Sequence, residues 1–237
     1  MKIDLFLGSD LGDWVLTQVP PSSIGSVFTA EDRIYEHALR LGFIVFIGNA
    51  NEINYENREI GFSIHYPRVI KPLLISKYKS IYNLHPGYLP WGRGYYPIFW
   101  AMWEQTPAGC TLHQITTGID EGPIVAQTRV EYSEGDTGGT LFAMVRDAEK
   151  QLFLEFLPRI VRGESFLLQS QSHKHGSFHT KREFFNLKRN IDWENMTGRD
   201  LIRLIRCLSM PDYTGLEISL GKQWFEIHLS AIAGQGT

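Results

Sequence analysis

One segment of the chain places polar side chains at the end of an apolar stretch. Residues 83–90 read Asn-Leu-His-Pro-Gly-Tyr-Leu-Pro. Alternate residues of a strand point to the same face, so Asn83 and His85 should share a face. Residues 117–124 read Thr-Gly-Ile-Asp-Glu-Gly-Pro-Ile and place Asp120 on a glycine-flanked loop. We predict that these three side chains converge on one site.

This trio suits transfer of an acyl group to an amine. An imidazole can accept a proton from an attacking amine near neutral pH. An amide NH2 can donate to the oxygen that becomes negative in a tetrahedral intermediate. A carboxylate can orient the histidine or position a water molecule that relays protons to the leaving nitrogen. The residue types alone also permit a purely structural role for Asn83, His85 and the loop of Asp120.

Apolar periodicity predicts the elements that must hold these residues. It indicates strands at residues 3–7, 43–47, 62–66, 81–84, 110–115 and 123–132, and helices at residues 30–41, 96–103 and 137–161. Residues 43–47 should form a buried parallel strand. We expect Thr29 and Thr137 to cap the first and last of these helices.

Strands that alternate with helices predict an α/β fold with a doubly wound, mostly parallel sheet. Ligands of such sheets bind at the carboxyl ends of the strands. His85 and the segment after Ile115 should both lie there.

The composition changes after about residue 165. Residues 170–180 are rich in Ser, His and Gly, which predicts a surface linker. Residues 200–208 should form a short helix, and residues 215–220 and 223–231 a β-hairpin. We therefore predict a catalytic domain at residues 1–165 and a small extension of helix and hairpin at residues 166–237.

Composition excludes several classes of function. The chain has 237 residues and a formal net charge of −3, so a general affinity for nucleic acid or anionic membrane is not expected. No stretch is long and apolar enough to span a bilayer, and Asp4 interrupts the N-terminal apolar run, unlike a signal peptide. Cys110 and Cys207 lack metal or redox spacing and suit buried thiols in a reducing cytoplasm.

Cofactor sites of other classes have weak support. The first loop, Gly8-Ser9-Asp10-Leu11-Gly12, lacks the dinucleotide fingerprint and the phosphate-loop lysine. His173, His175 and His179 have no cysteine or carboxylate among them, so no metal is expected.

Three groups of residues resemble the folate-dependent formyltransferase family. The first is residues 83–90 with Gly94 and Pro97. The second is Thr111-x-His113 with Asp120-x-Gly122-Pro123-Ile124 and Gln127, and the third is Asp136-Thr137 with Leu141. The resemblance extends over most of residues 1–165. It implies a Rossmann-like N-formyltransferase with Asn83, His85 and Asp120 as the catalytic trio and N10-formyltetrahydrofolate as the formyl donor.

The same resemblance implies where the folate lies. It places Arg68, Val69 and Ile70 beside the pterin ring, with the loop that carries Thr116, Gly118 and Asp120 opposite. A simple helix entry at residues 68–70 is the alternative.

The family acts on several acceptors, among them methionyl-tRNA, glycinamide ribonucleotide and nucleotide-linked amino sugars. The tRNA enzymes carry a further C-terminal barrel, for which this chain is short. The ribonucleotide enzymes bind phosphate at a glycine-rich first loop, where Asp10 and Asp13 should repel a phosphate monoester here.

The sugar branch fits the chain better. Its resemblance rests on residues 87–97, 191–193, 205–206, 211–215 and 221–222. The resemblance implies an acceptor such as dTDP-4-amino-4,6-dideoxyglucose, with 3-amino isomers open, and a role in lipopolysaccharide or other cell-surface glycan biosynthesis. It also implies a homodimer formed through the C-terminal hairpin.

A nucleotide-linked sugar needs cations or N–H groups for its pyrophosphate, and an aromatic face for its base. The candidates for the pyrophosphate are Gly92, Arg93 and Gly94, with Lys181 and Arg182 behind them. Tyr213 or Trp224 is the candidate for the base, and Tyr95 or Tyr96 for the path of the sugar. The alternatives are a solvated Arg93, core or interface positions for Tyr213 and Trp224, and a packing role for Tyr96.

Two rival functions remain open at this point. One is another formyl-group enzyme, acting on another small amine or hydrolysing formyl-folate with water as the acceptor. The other is a non-catalytic binding protein on the same fold, against which the intact trio argues.

Overall fold

A seven-stranded sheet forms the centre of the computed structural model, which describes residues 2–54, 56–172, 175–192, 194–210, 215–227 and 229. The strands of this sheet are β1 (Ile3–Leu7), β2 (Ile24–Thr29), β3 (Val45–Ile47), β4 (Arg58–Ile64), β5 (Tyr78–His85), β7 (Ala108–Gln114) and β8 (Ile124–Val130). Two small pairs lie outside it, β6 (Arg93–Gly94) with β9 (Phe178–His179), and β10 (Leu216–Leu220) with β11 (Gln223–Ile227).

The order across the sheet is β3-β2-β1-β4-β5-β7-β8. The first five strands in this order, β3, β2, β1, β4 and β5, pair in parallel. The strand β7 runs antiparallel to both of its neighbours, β5 and β8. The prediction of a mostly parallel α/β sheet is therefore confirmed.

Helices flank the sheet and join its strands. They are α1 (Ser9–Gln18), α2 (Asp32–Arg40), α3 (Pro72–Ile75), α4 (Pro97–Glu104), α5 (Gly138–Val161), α6 (Lys181–Arg189) and α7 (Gly198–Leu208). The predicted cap of α5 is confirmed, because the Thr137 side chain accepts a hydrogen bond from the Thr140 N–H. Thr180 and Thr197 cap α6 and α7 in the same way.

One hydrophobic core joins the sheet to the helices of both halves of the chain. Trp100 of α4 and Phe153 of α5 belong to the same buried cluster as Phe184 of α6 and Leu204 of α7. The division of the chain at residue 165 remains a prediction.

Several local predictions are wrong. Residues 9–12 form the first turn of α1 rather than a loop. The strand β2 was not predicted, and β3 lies at the edge of the sheet, where Phe46 and Ile47 are 41% and 46% exposed. An apolar run predicts a strand but not its place in the sheet order, so β3 looked buried.

The cap predicted for α2 is also wrong. Thr29 ends β2, and its hydroxyl accepts a hydrogen bond from the Glu31 N–H. Glu31 takes the N-cap position without a side-chain cap. Because α2 starts only at Asp32, Thr29 lies two residues before the N-cap position and cannot cap the helix.

The C-terminal predictions are confirmed where the structure describes them. The helix at residues 200–208 corresponds to α7, and the hairpin to β10 and β11. Trp193 and residues 211–214, on which part of the resemblance to the sugar branch rests, lie outside the described residues. Within the described ranges, no helix is both long and apolar enough to cross a membrane.

Burial should make both thiols unreactive. Cys110 and Cys207 are free and fully buried, and burial raises the pKa of each thiol to about 12. Because the thiolate is the reactive form, we expect neither to react with a disulfide reagent at pH 8 in the native protein, and both to react in denaturant. Rapid labelling of the native protein would contradict this burial.

Candidate active site

A cavity of about 340 Å³ opens beside the end of β5. Its walls come from β4 and the segment after it, from β5, from the loop before α4 and from the loop after β7. The lining residues are Ser63, His65, Tyr66, Pro67, Arg68, Val69, Ile70, Asn83, Leu84, His85, Pro86, Gly94, Tyr95, Pro97, His113, Ile115, Thr116, Thr117, Gly118, Ile119 and Asp120. The three predicted catalytic side chains therefore face one space.

His85 occupies the last position of β5 and is 5% exposed. Its Nε2 lies 2.8 Å from the carbonyl oxygen of Gly92. Since a carbonyl only accepts, Nε2 carries a proton, and Nδ1 is the nitrogen that can accept one. Nδ1 lies 3.7 Å from Oδ2 of Asp120, which is close enough for charge interaction and longer than a hydrogen bond.

Asp120 is fixed by three neighbours. Its backbone is left-handed, with φ of 53°. Its Oδ2 accepts a hydrogen bond of 2.9 Å from the Gly94 N–H, and its Oδ1 lies 3.6 Å from His113 Nε2. Burial alone would raise the pKa of Asp120, but His85, His113 and the Gly94 N–H together lower it below its ordinary value. The carboxylate is therefore ionised at neutral pH.

The route by which Asp120 reaches His85 differs from the prediction. β7 is antiparallel to β5, so its carboxyl end lies beside Tyr82 rather than at the carboxyl end of β5. The loop of residues 115–123 nonetheless brings Asp120 to His85.

His113 connects the members of the trio. It is 2% exposed and pairs directly with Asn83 across the sheet. Its Nδ1 lies 2.9 Å from the Gln114 carbonyl and therefore donates, which leaves Nε2 to accept from Asn83 Nδ2 at 3.2 Å when the ring is neutral. This contact orients the Asn83 amide, whose second N–H has no hydrogen-bond partner among the described residues and can donate to a substrate oxygen. The sequence does not predict this role for His113, because the pairing of β7 with β5 that places it opposite Asn83 is visible only in the structure.

A comparison with known families agrees with this geometry. Residues 49–157 match the family model described as formyl transferase. This part of the chain is therefore similar to formyl transferases. A curated relative, the dTDP-4-amino-4,6-dideoxyglucose formyltransferase of Mycobacterium tuberculosis strain H37Rv, is 28% identical over 158 residues. The match covers 67% of this chain and 66% of that relative, so it spans just under two thirds of the relative's length.

Solved formyltransferase structures share the fold. A sugar N-formyltransferase from a Shewanella species superposes with a TM-score of 0.79 at 22% identity, over 99% of each chain. The formyltransferase PseJ from Anoxybacillus kamchatkensis, solved with UDP-4,6-dideoxy-4-formamido-L-AltNAc and tetrahydrofolate, gives a TM-score of 0.55 at 25% identity, over 82% of this chain and 94% of that one.

The residues predicted for folate binding lie together around the cavity. Arg68, Val69 and Ile70 line one side of the cavity, and Thr116, Gly118 and Asp120 line it from the loop after β7. Their contact with a folate remains a prediction.

The residues predicted for the sugar nucleotide are more dispersed. Gly94 and Tyr95 line the cavity, and Gly92 contacts His85. Tyr96 instead packs on Phe184, with ring centres 4.1 Å apart, as expected of a packing residue.

The predicted cations and base-binding aromatics lie elsewhere. Arg93 is largely buried and paired with Glu121 at 2.9 Å, so it is not a solvated loop charge. Lys181 and Arg182 are exposed in the first turn of α6, and Trp224 is 72% exposed on the hairpin. Tyr213 lies outside the described residues.

A buried polar cluster beside the cavity was not predicted. His65 Nε2 lies 2.7 Å from Glu149 Oε1, and Arg146 Nη1 donates to Glu149 Oε2 at 2.9 Å. Ser9 Oγ lies 3.1 Å from His65 Nδ1. Glu149 lies on the apolar stripe of α5, four residues after Val145, and a charge on such a stripe was the signal that could have indicated the cluster.

No metal site is evident in the part of the chain that the structure describes, since it holds no group of three or more metal-binding side chains. His179 stacks on Trp100 with ring centres 3.8 Å apart, and His173 lies outside the described ranges.

Proposed function

We propose that this formyltransferase transfers the formyl group of N10-formyltetrahydrofolate to the amine of a nucleotide-linked amino sugar. dTDP-4-amino-4,6-dideoxyglucose is the first candidate acceptor. The observation that carries the proposal is the convergence of Asn83, His85 and Asp120 on one cavity. The Mycobacterium relative bears the name of the dTDP-sugar enzyme, and the Anoxybacillus structure holds a UDP-sugar and tetrahydrofolate.

Each member of the trio has a definite task in this reaction. The second N–H of Asn83, the one that does not contact His113, donates to the formyl oxygen as it becomes negative. Nδ1 of His85 accepts the proton of the amine as the new C–N bond forms. Asp120 stabilises the imidazolium, and the proton then passes to the folate nitrogen as its bond to the formyl carbon breaks. Gly92 holds the ring of His85 through its carbonyl oxygen.

The wall at residues 68–70 suits a flat heterocycle. Among the described residues, the N–H groups of Val69 and Ile70 and the carbonyl groups of Arg68 and Ile70 have no protein partner. A pterin ring presents alternating donors and acceptors along its edge and would satisfy such groups. This supports folate as the donor.

The N-terminus of α1 argues against an acceptor with a phosphate monoester. The Ser9 N–H, which such a phosphate would use, donates to Glu31 Oε1 at 2.7 Å. Asp10 adds a second carboxylate, which pairs with Arg146. A phosphate here would meet the carboxylates of Glu31 and Asp10, whereas the sequence pointed to Asp10 and Asp13.

Arg93 is the candidate for the acceptor's diphosphate. Its Nε is buried without a partner among the described residues, and its Nη1 holds Glu121. A diphosphate could replace Glu121 with a stronger bidentate contact.

The setting of the enzyme follows from the same proposal. Trp224 and Phe225 expose apolar surface on the hairpin and are the proposed homodimer contact. Two free, buried thiols suit the reducing cytoplasm, where nucleotide-linked sugars for lipopolysaccharide or other surface glycans would be modified.

Mass spectrometry tests the proposal. The enzyme is incubated with formyl-folate and, separately, with dTDP-4-amino-4,6-dideoxyglucose, its 3-amino isomer and a UDP-linked counterpart. One formyl group should be added to the 4-amino dTDP-sugar. Formylation of the 3-amino isomer alone would reassign the acceptor, and formyl-folate consumption without any amine would show a hydrolase.

Asn51 should control the affinity for the formyl donor. Its Nδ2 donates to the Val69 carbonyl at 2.9 Å, and its Oδ1 accepts from the Lys71 N–H at 2.8 Å. It thus fixes the proposed pterin wall from outside. We expect Asn51→Ala to raise the KM for formyl-folate about tenfold and leave kcat within about twofold, since two hydrogen bonds of about 1 kcal/mol each are lost. Asn57→Ala, an exposed asparagine nearby, is the matched control; equal KM values in both variants would exclude the role.

A further inference from the structure

Residues 171–172 and 175–179 connect the two loops that build the active site. We call these residues the strap. Composition predicted a linker here, but the strap makes hydrogen bonds to both loops, and all of its residues follow the matched family model at residues 49–157.

On the first side, Gln171 holds the loop of the catalytic carboxylate. Its Nε2 donates to the carbonyl oxygens of both Asp120 and Gly122, at 2.9 and 2.7 Å. Asp120 has a left-handed backbone, which an L-residue keeps only when its surroundings hold it. The two hydrogen bonds from Gln171 therefore help to hold the loop in this conformation.

On the second side, Ser177 holds the loop that contacts His85. Its hydroxyl accepts from the Gly92 N–H at 2.9 Å, and its carbonyl from the Arg93 N–H at 3.0 Å. Its own N–H donates to the Pro90 carbonyl at 3.2 Å. The Gly92 carbonyl is the group that binds His85 Nε2, so Ser177 fixes the partner of the histidine.

The hydrogen bonds of Gln171 and of Ser177 both affect the distance between His85 Nδ1 and Asp120 Oδ2. His85 ends β5 and contacts the loop of Gly92, whereas Asp120 lies in the loop after β7, and His85 Nδ1 and Asp120 Oδ2 lie 3.7 Å apart without a direct hydrogen bond. Their separation is therefore set by how the loops are held, and the strap contacts each loop within one residue of the functional group.

We infer that the strap is a positioning element for catalysis, with Gln171 and Ser177 as positioning residues that set the His85 to Asp120 geometry. This inference rests on the proposed function. Neither side chain lines the cavity, so both act through other groups rather than on substrate.

The test compares Gln171→Ala and Ser177→Ala with the matched controls Gln169→Ala and Ser170→Ala. The control side chains are exposed and lie just before the strap. We expect kcat to fall about 10- to 100-fold in Gln171→Ala, because small displacements of catalytic groups have effects of this size. Ser177→Ala should lose less, since its two backbone hydrogen bonds remain. KM for both substrates should stay within about twofold, and the controls should match the wild type.

The results that would overturn the inference differ from those that would overturn the proposed function. Unchanged kcat in both strap variants, or a raised KM with unchanged kcat, would overturn the inference. A kcat that falls only in proportion to the folded fraction would do the same. If the wild type transfers no formyl group, the proposed function fails, and a crystal structure of Gln171→Ala then decides the inference. A lengthened distance from His85 Nδ1 to Asp120 Oδ2 supports the strap, and an unchanged distance overturns it.

Discussion

Replacing His85 or Asp120 by asparagine should abolish formyl transfer without unfolding the protein. His85→Asn removes the nitrogen that accepts the proton of the amine, and general-base catalysis is worth about 10²- to 10⁴-fold in rate. Asp120→Asn removes the charge that stabilises the imidazolium, while an amide oxygen can still accept from the Gly94 N–H. We expect a loss of about 10²-fold or more from this change.

The measurement is kcat by mass spectrometry, with circular dichroism and thermal melting to follow the fold. His37→Asn and Asp147→Asn serve as controls, because both residues lie outside the cavity and Asp147 is 76% exposed. Near-normal turnover in both active-site variants would refute the proposed mechanism, even if the fold assignment stands.

The sequence was a good guide to the elements of the core. Apolar runs and caps predicted β1, β4, β5, β7, β8 and α5 to within a few residues. Their signals are local: period-2 or continuous apolar runs for strands, and Thr137 before a helical stripe for α5. The placement of Asn83, His85 and Asp120 at strand ends predicted their convergence, and the resemblance to the formyltransferase family implied that they are catalytic; the structure brings them to one cavity.

Features that depend on tertiary contacts could not be predicted in this way. β2 reads Ile-Gly-Ser-Val-Phe-Thr, and its glycine and serine weaken the local signal, although β1 and β3 cover it on both sides. The strap is similar, because its Ser, His and Gly residues are typical of linkers. Its residues are held by hydrogen bonds to loops that are distant in the chain, such as the bond from Gln171 to the Asp120 carbonyl.

The residues that contact ligands are even harder to predict from the sequence. Arg93 and Tyr96 were chosen for their residue types, yet Arg93 is engaged by Glu121, and Tyr96 packs on Phe184. A side chain's type indicates what it can bind, while its neighbours decide whether it is available. For the same reason, His65, Arg146 and Glu149 at the border of the cavity are engaged mainly by one another, although Arg146 Nε is buried without a partner among the described residues.

Gly94→Ala is expected to have the second large effect, because Gly94 serves the fold and the chemistry together. Its N–H binds Asp120, its backbone has φ of +89°, and it pairs with His179 in the small sheet of β6 and β9. A Cβ here would lie 2.3 Å from the His179 carbonyl oxygen, which is backbone and cannot turn away. The backbones of Gly94 and His179 must therefore move apart, and the Gly94 N–H that binds Asp120 moves as well.

The control for Gly94→Ala separates the cost of a positive φ from the effect of the clash between the new Cβ and His179. Gly42 has φ of +83°, yet a Cβ there meets nothing within 4 Å. Gly42→Ala should therefore show only the backbone cost of about 1 kcal/mol, with normal kcat. Gly94→Ala should add a loss of kcat of about 10²-fold, because Asp120 is displaced from His85. If the two variants lose the same stability and keep the same kcat, the Gly94 N–H does not position the carboxylate, and His85 and His113 alone must hold it.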